Sequence, residues 1–133
     1  MHRRIFAAAV AGLVGLALAN GAAAHHSFAV YFDETKPVTV EGVITSYRFT
    51  NPHGLVVFDV TGADGEVHSW RAETNAPVVL QRRGWTRTTL RPGQRVTVSG
   101  WLARDGSRYI RLREVRDQQG RLVGATAFGQ NDE

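Results

Sequence analysis

The sequence predicts an all-β domain, a small OB-like five-stranded barrel with one short helix, preceded by a cleaved signal peptide. Three observations carry this. Five short segments alternate apolar with polar residues and are separated by clusters of Gly, Pro, Asn and Asp. The one segment with helix punctuation falls between the third and fourth strands. The first strand changes its apolar phase at a glycine, as a bent strand would. Three strands beginning with a bent one, a short helix, then two more strands is the OB order, in which the first strand pairs in both halves and the helix plugs the barrel.

Residues 1–24 open with His2, Arg3 and Arg4, continue through an apolar run from Ile5 to Ala19, and close on Asn20, Gly21 and three alanines. That is the pattern of a secretory signal, with Ala22 and Ala24 as the small residues a signal peptidase requires. The apolar run is short for a membrane span, and no stop-transfer pattern follows. Cleavage after Ala24 would make His25 the first residue and leave 109 of the 133 residues. This is enough for one domain with a modest core and too little for two. The expected parts are an N-terminal arm over 25–37, the barrel over 38–123 and a loose tail over 124–133.

The segment 38–48, VTVEGVITSYR, sets Val38 and Val40 against Thr39 and Glu41; after Gly42, Val43, Thr45 and Tyr47 take the other phase, so the bend is expected at Gly42. Strands over 55–61 and 67–73 flank Gly62–Glu66. A three-residue loop of Ala63, Asp64 and Gly65, with Gly65 left-handed, sets Val60 opposite His68, Phe58 opposite Trp70 and Val56 opposite Ala72. A slip of one residue would oppose Phe58 to Ser69 and Val56 to Arg71, which a buried face does not tolerate.

Residues 75–84 read as a short helix with Asn75 as cap, Pro77 in the first turn, arginines in the last and Gly84 as the stop; Val79 and Leu80 would face the core. Strand four, 95–103, follows the Pro92-Gly93 turn, and strand five, 108–115, follows Arg104–Ser107. Val96, Val98 and Leu102 share one phase, as do Ile110 and Leu112. Asp117–Gly120 is a further turn, leading to a short piece at Leu122 and Val123.

The whole chain carries 16 Lys+Arg against 12 Asp+Glu, net +4. Without Arg3 and Arg4 the balance is 14 to 12, or +2, too mild to mark a nucleic-acid binder. The absence of cysteine excludes a disulfide framework, a thiolate metal site and a thiol nucleophile.

The HHSF start behind the leader, the TNPH turn at 50–53, the Trp70–Glu73 strand end followed by APVVLQRRGW at 76–85, and PGQRVTVSG at 92–100 together resemble a family of small exported bacterial proteins of unknown function. The resemblance covers residues 25–123 and implies a periplasmic location, a small β-barrel and no established chemistry. The family pattern often has an aromatic shortly after NPH, where this chain has Gly54 and Leu55.

A chain beginning with His25 would offer its α-amine and ring Nδ1 as a chelate for one divalent ion, and amine and imidazole nitrogens suit Cu(II), ahead of Ni(II) and Zn(II). The expected further ligand is His26, in a loose surface site with His25, or His53, with His68 a less favoured candidate; Asn51 or Glu73 would hold the His53 ring, and His53, Glu73 and Asn75 would meet at one mouth of the barrel. If Phe28–Phe32 formed a hairpin with strand one through residues 33–37, His25 would fall opposite residue 45, about 26 Å short of His53. A shared site therefore requires the arm to fold over the barrel with Phe28, Val30 and Phe32 buried. In the bland alternative the His pair is a solvated chain start, and His53 merely shapes a turn.

The alternative reading is a metal-free module that binds a ligand or protein partner at the Asn51–His53 mouth or on an outer face of Trp101, Tyr109, Arg111 and Arg113. Export argues against nucleic acid as the partner, and no membrane span is expected after processing. His68 is expected to line the core beside Trp70. Asp33-Glu34, Glu114, Asp117, Ser27 and Ser69 form no catalytic grouping, so the expectation is a binding or accessory protein and not an enzyme.

Overall fold

The computed structural model describes residues 30–124. The leader, His25, His26, Ser27, Phe28 and the tail from Ala125 lie outside the described residues. Among the described residues five strands, β1 (Phe32–Arg48), β2 (Leu55–Thr61), β3 (Val67–Glu73), β4 (Arg95–Ala103) and β5 (Tyr109–Arg116), and between β3 and β4 the short helix α1 (Pro77–Arg82), follow in the expected order. The strands close in the order β1-β2-β3-β5-β4, all pairs antiparallel except β3 with β5. That is the all-β barrel with one short helix that the pattern predicts.

β1 is long enough to serve two partners. Phe32–Val43 pairs with β4 and Val43–Arg48 with β2, so Val43 faces Arg95 on one side and Asp59 on the other. Gly42 stands one residue before this handover, where a Cβ would meet the Asp59 carbonyl oxygen at 2.6 Å and Phe58 at 2.8 Å. Its role is close approach, and the change of phase comes later than expected. The register shifts between Ile44 and Ser46, so Ile44 remains buried and Thr45 is exposed.

The N-terminal boundary also moves. Residues 33–37 make no hairpin turn; β1 begins at Phe32 and runs through them with an irregularity between Asp33 and Pro37, pairing Phe32 with Ala103 and Pro37 with Trp101. Phe32 is buried as the docked-arm alternative requires, whereas Val30 is 62% exposed. Asp33 holds this stretch: its Oδ1 accepts the Thr35 N–H and hydroxyl, and Arg104 and Lys36 lie at 3.6 and 3.7 Å.

The β2–β3 register matches the expected one at each pair, from Leu55 with Glu73 to Thr61 with Val67, and Gly65 has φ +83°. The core gathers Ile44, Val56, Phe58, Ala72, Val96, Val98, Ile110, Leu112 and Val115 from the strands, with Leu80 from α1 and Trp85 from the chain that follows it. Leu102 is only half-buried, because the register of β4 against β5 shifts between Ser99 and Gly100 and breaks its phase. The α1 cap is Ala76, not Asn75, with Pro77 in the first turn and Gly84 at φ +78° beyond the end. Leu80 is buried and Val79 half-buried. No helix among the described residues is long and apolar enough to cross a membrane.

Candidate functional site

The β1–β2 loop, Phe49–Gly54, contains a cis Asn51-Pro52 bond and ends in a backbone clasp that places His53. Beyond the Leu55/Glu73 pair the chains stay joined: the Thr74 N–H donates to the Gly54 oxygen at 2.9 Å, and the Gly54 N–H to the Asn75 oxygen at 3.3 Å. Gly54 has no room for a side chain, since a Cβ would stand 2.5 Å from Thr74 Oγ1 and 2.9 Å from the Arg48 oxygen. The clasp sets His53 beside the last residue of β3. Its Nδ1 lies 2.9 Å from Glu73 Oε1, with side-chain exposures of 34% and 22%. A proton on Nδ1 then points at the carboxylate, which leaves the Nε2 lone pair as the imidazole's donor to anything outside.

Glu73 is itself held from behind. The Tyr109 hydroxyl donates to Oε2, and Arg111 Nη1 lies 3.6 Å from Oε1. Both contacts follow from the parallel pairing of β3 with β5, which sets Arg71 beside Tyr109 and Glu73 beside Arg111. Arg111, only 3% exposed, donates from Nη1 to the Thr74 oxygen at 2.7 Å and from Nη2 to Asn75 Oδ1 at 2.6 Å. This explains why Asn75 does not cap the helix: its side-chain oxygen is an acceptor for a buried cation. Burial first, and the Glu73 carboxylate second, push the Tyr109 hydroxyl well above the ordinary tyrosine range, so at neutral pH it acts as a donor. The Tyr109 ring lies between Phe32, at 5.1 Å between centroids, and the Arg71 guanidinium, 4.8 Å from the ring centre.

Of the predicted site residues, His53, Glu73 and Asn75 do converge. Asn51 is exposed and turns to a different feature, an open groove of about 660 Å3 shared with Phe49, Pro77 and Trp85. The predicted outer face is broken up. Arg113 is exposed and Trp101 half-buried, but Arg111 is buried and Tyr109 engages Glu73. Simple alternation puts Arg111 outside the barrel, and the chain leaving β3 then covers it. His68 is half-buried opposite Val60. It joins a grouping that sequence reasoning missed: ligand atoms of Asp64, Glu66 and His68 lie within 4.8 Å of one another at the exposed β2–β3 tip. Their alternate spacing was the available signal. The tip is at the other end of the hairpin from His53, roughly 20 Å along the strands.

No curated protein matches the chain. Among solved structures, the crystal structure of the ZRD-deleted mutant of TiaS in complex with agmatine is similar at 20% identity and a TM-score of 0.43, over 64% of this chain and 22% of that one. The chain thus spans about a fifth of that protein's length. Residues 13–111, which include the clasp, the His53–Glu73 pair and its Tyr109–Arg111 support, match the family of unknown function DUF6152, and the chain belongs to that family.

Proposed function

We propose that this is an exported accessory protein that binds one Cu(II) ion through His53 Nε2 together with the α-amine and ring of His25, with His26 as a further ligand. The observation that carries the reading is the 2.9 Å contact between His53 Nδ1 and Glu73 Oε1. A carboxylate on one ring nitrogen fixes the tautomer and holds the ring in one orientation, which is what a metal-ligating histidine needs. Glu73 is itself contacted by Tyr109 and Arg111, so the carboxylate that orients the ring has partners of its own.

The burial of Phe32 supports the reach, while Val30, the other described residue that the docked arm would bury, stays 62% exposed. From Phe32, contacts through Tyr109 and Glu73 lead to His53, a path of roughly 15 Å. Val30 and Tyr31 are helical, so residues 25–31 can span at most roughly 20 Å, a length that still exceeds that path. The competing metal-free reading on the outer face has less support, because Arg111 is committed to Thr74, Asn75 and Glu73.

The test is a Cu(II) titration of three proteins: one beginning at His25, one retaining a single extra residue before it, and a His53→Ala variant. The extra residue and the His53 substitution are each expected to weaken binding by at least the 10- to 100-fold, roughly, that loss of even an outer-shell partner brings. Equal affinity in all three overturns the site. Binding no stronger than that of a generic histidine-bearing surface favours the metal-free module.

A further inference from the structure

The β2–β3 tip carries a second group of donors, at the other end of the hairpin from His53. Asp64 and Glu66 are exposed and His68 is half-buried, and each brings one ligand atom to within 4.8 Å of the other two. The backbone accounts for this. The Gly62 N–H donates to the Glu66 oxygen at 2.8 Å, so the ladder continues past the Thr61/Val67 pair, and alternation sets Glu66 and His68 on one face. The turn then folds Asp64 back toward them: its Oδ1 accepts the Glu66 N–H at 3.0 Å and lies over Gly62, where a Cβ would stand 2.6 Å from that oxygen. A side chain at Gly62 would take the place of the Asp64 carboxylate.

The three groups are close without being paired. Among the described residues, neither ring nitrogen of His68 has a hydrogen-bond or ion-pair partner, and no Lys or Arg pairs with Asp64 or Glu66. Asp33, Glu41, Glu73, Glu114 and Asp117 each have an arginine within ion-pairing distance. The sequence is one-sided in the same place: residues 49–70 contain no Lys or Arg, in a chain with 16. The negative charge of the tip therefore has no cation of the protein to balance it. The spacing is that of a gap, since three atoms about 4 Å apart surround a point about 2.3 Å from each, which is a metal–ligand distance.

We propose that Asp64, Glu66 and His68 bind one Zn2+ ion, through two carboxylate oxygens and one imidazole nitrogen, with water in the remaining position. Two carboxylates cancel the charge of one divalent ion, and an imidazole is neutral when it ligates a metal. Imidazole selects a transition ion over Mg2+ and Ca2+. The three donors come from one short stretch of one strand and its turn, so they cap the ion from one side. A tetrahedral ion accepts such a tripod, whereas Cu(II) prefers donors in a plane. The bound ion ties the turn to β3, and by mass action it stabilises the folded chain.

The test is a Zn2+ titration of the full chain that follows the His68 ring signals by NMR, so that the other histidines do not enter the reading. The His68 signals should shift with Zn2+ and not with Mg2+ or Ca2+. Asp64→Asn/Glu66→Gln, at exposed positions where packing is untouched, should raise the midpoint of that shift by at least about 10-fold, the least that loss of even an outer-shell partner brings. Gly62→Ala, which displaces the Asp64 carboxylate, should raise it in the same direction. His53→Ala should leave it unchanged. A His68 ring that does not respond to Zn2+ overturns the proposal, as does a midpoint unmoved in the double variant or one that moves with His53→Ala. An equal response to Ca2+ overturns the assignment to zinc. Copper enters none of these readings, so failure here is distinguishable from failure of the His53 site.

Discussion

The ring of Phe32 lies 5.1 Å from that of Tyr109, tilted by 57°. This contact joins the first residue of β1 to the first residue of β5, and through the Tyr109 hydroxyl to Glu73 and His53. The start of β1 and the place where the histidine is held are therefore parts of one cluster. Four expectations follow from how that cluster is built.

Phe32 is 3% exposed, and truncating it removes both its burial and its stacking on Tyr109. Phe32→Ala should lower stability by about 3–5 kcal/mol. Phe32→Leu, which keeps most of the volume, should cost clearly less. Urea unfolding of both variants checks this, with a lowered midpoint at unchanged slope as the expected result.

Arg111 is a buried cation with the Glu73 carboxylate near it and the Thr74 and Asn75 oxygens accepting from it. Glu73→Ala removes the compensating charge and should destabilise by about 3 kcal/mol, at the low end for a broken buried pair because Glu73 is partly solvated. In a double-mutant cycle with Arg111→Met, the two losses should fall short of additive by roughly 1–3 kcal/mol. Strict additivity would mean that Glu73 does not hold the guanidinium.

Tyr109 and Tyr47 are both held protonated beyond the ordinary tyrosine range, Tyr47 by burial and Tyr109 by burial and then by Glu73. Unfolded tyrosine ionises near pH 10, so above that pH the unfolded chain binds fewer protons than the folded one. Stability from these groups is fully present below about pH 10 and should be lost as pH rises beyond it. An absorbance titration should show late phenolate formation, and Tyr109→Phe should remove one late step. A Tyr109 ionising in the normal range would contradict the burial and carboxylate contact described.

Gly54 is the point where the loop touches both Thr74 and Arg48. Gly54→Ala should force the clasp apart and cost about 1–3 kcal/mol as an overpacked substitution. If His53 depends on the clasp for its position, the same variant should broaden or shift the His53 ring signals in NMR while leaving those of His68, at the far end of the hairpin, unchanged.

The sequence by itself determined what depends on near neighbours. Alternation and turn residues were enough for the β2–β3 register, because a slip of one residue would bury Ser69 and Arg71 opposite Phe58 and Val56. The helix position and its glycine stop, the strand order, and the meeting of His53 with Glu73 at the hairpin's open end were legible for the same reason. The tertiary structure alone decided what Arg111, Tyr109 and Asn75 do. Alternation gives Arg111 an outward phase, and only the parallel closure of β3 on β5, whose paired residues are 38 apart in the chain, brings Asn75 and Glu73 over it. The early start of β1 at Phe32 was hidden likewise, since DETKP reads as a turn until β4 supplies the partner that makes it a strand. Local pattern encodes which face a residue presents; which surface then covers that face is set by distant segments, whose pairing depends on the whole barrel closing.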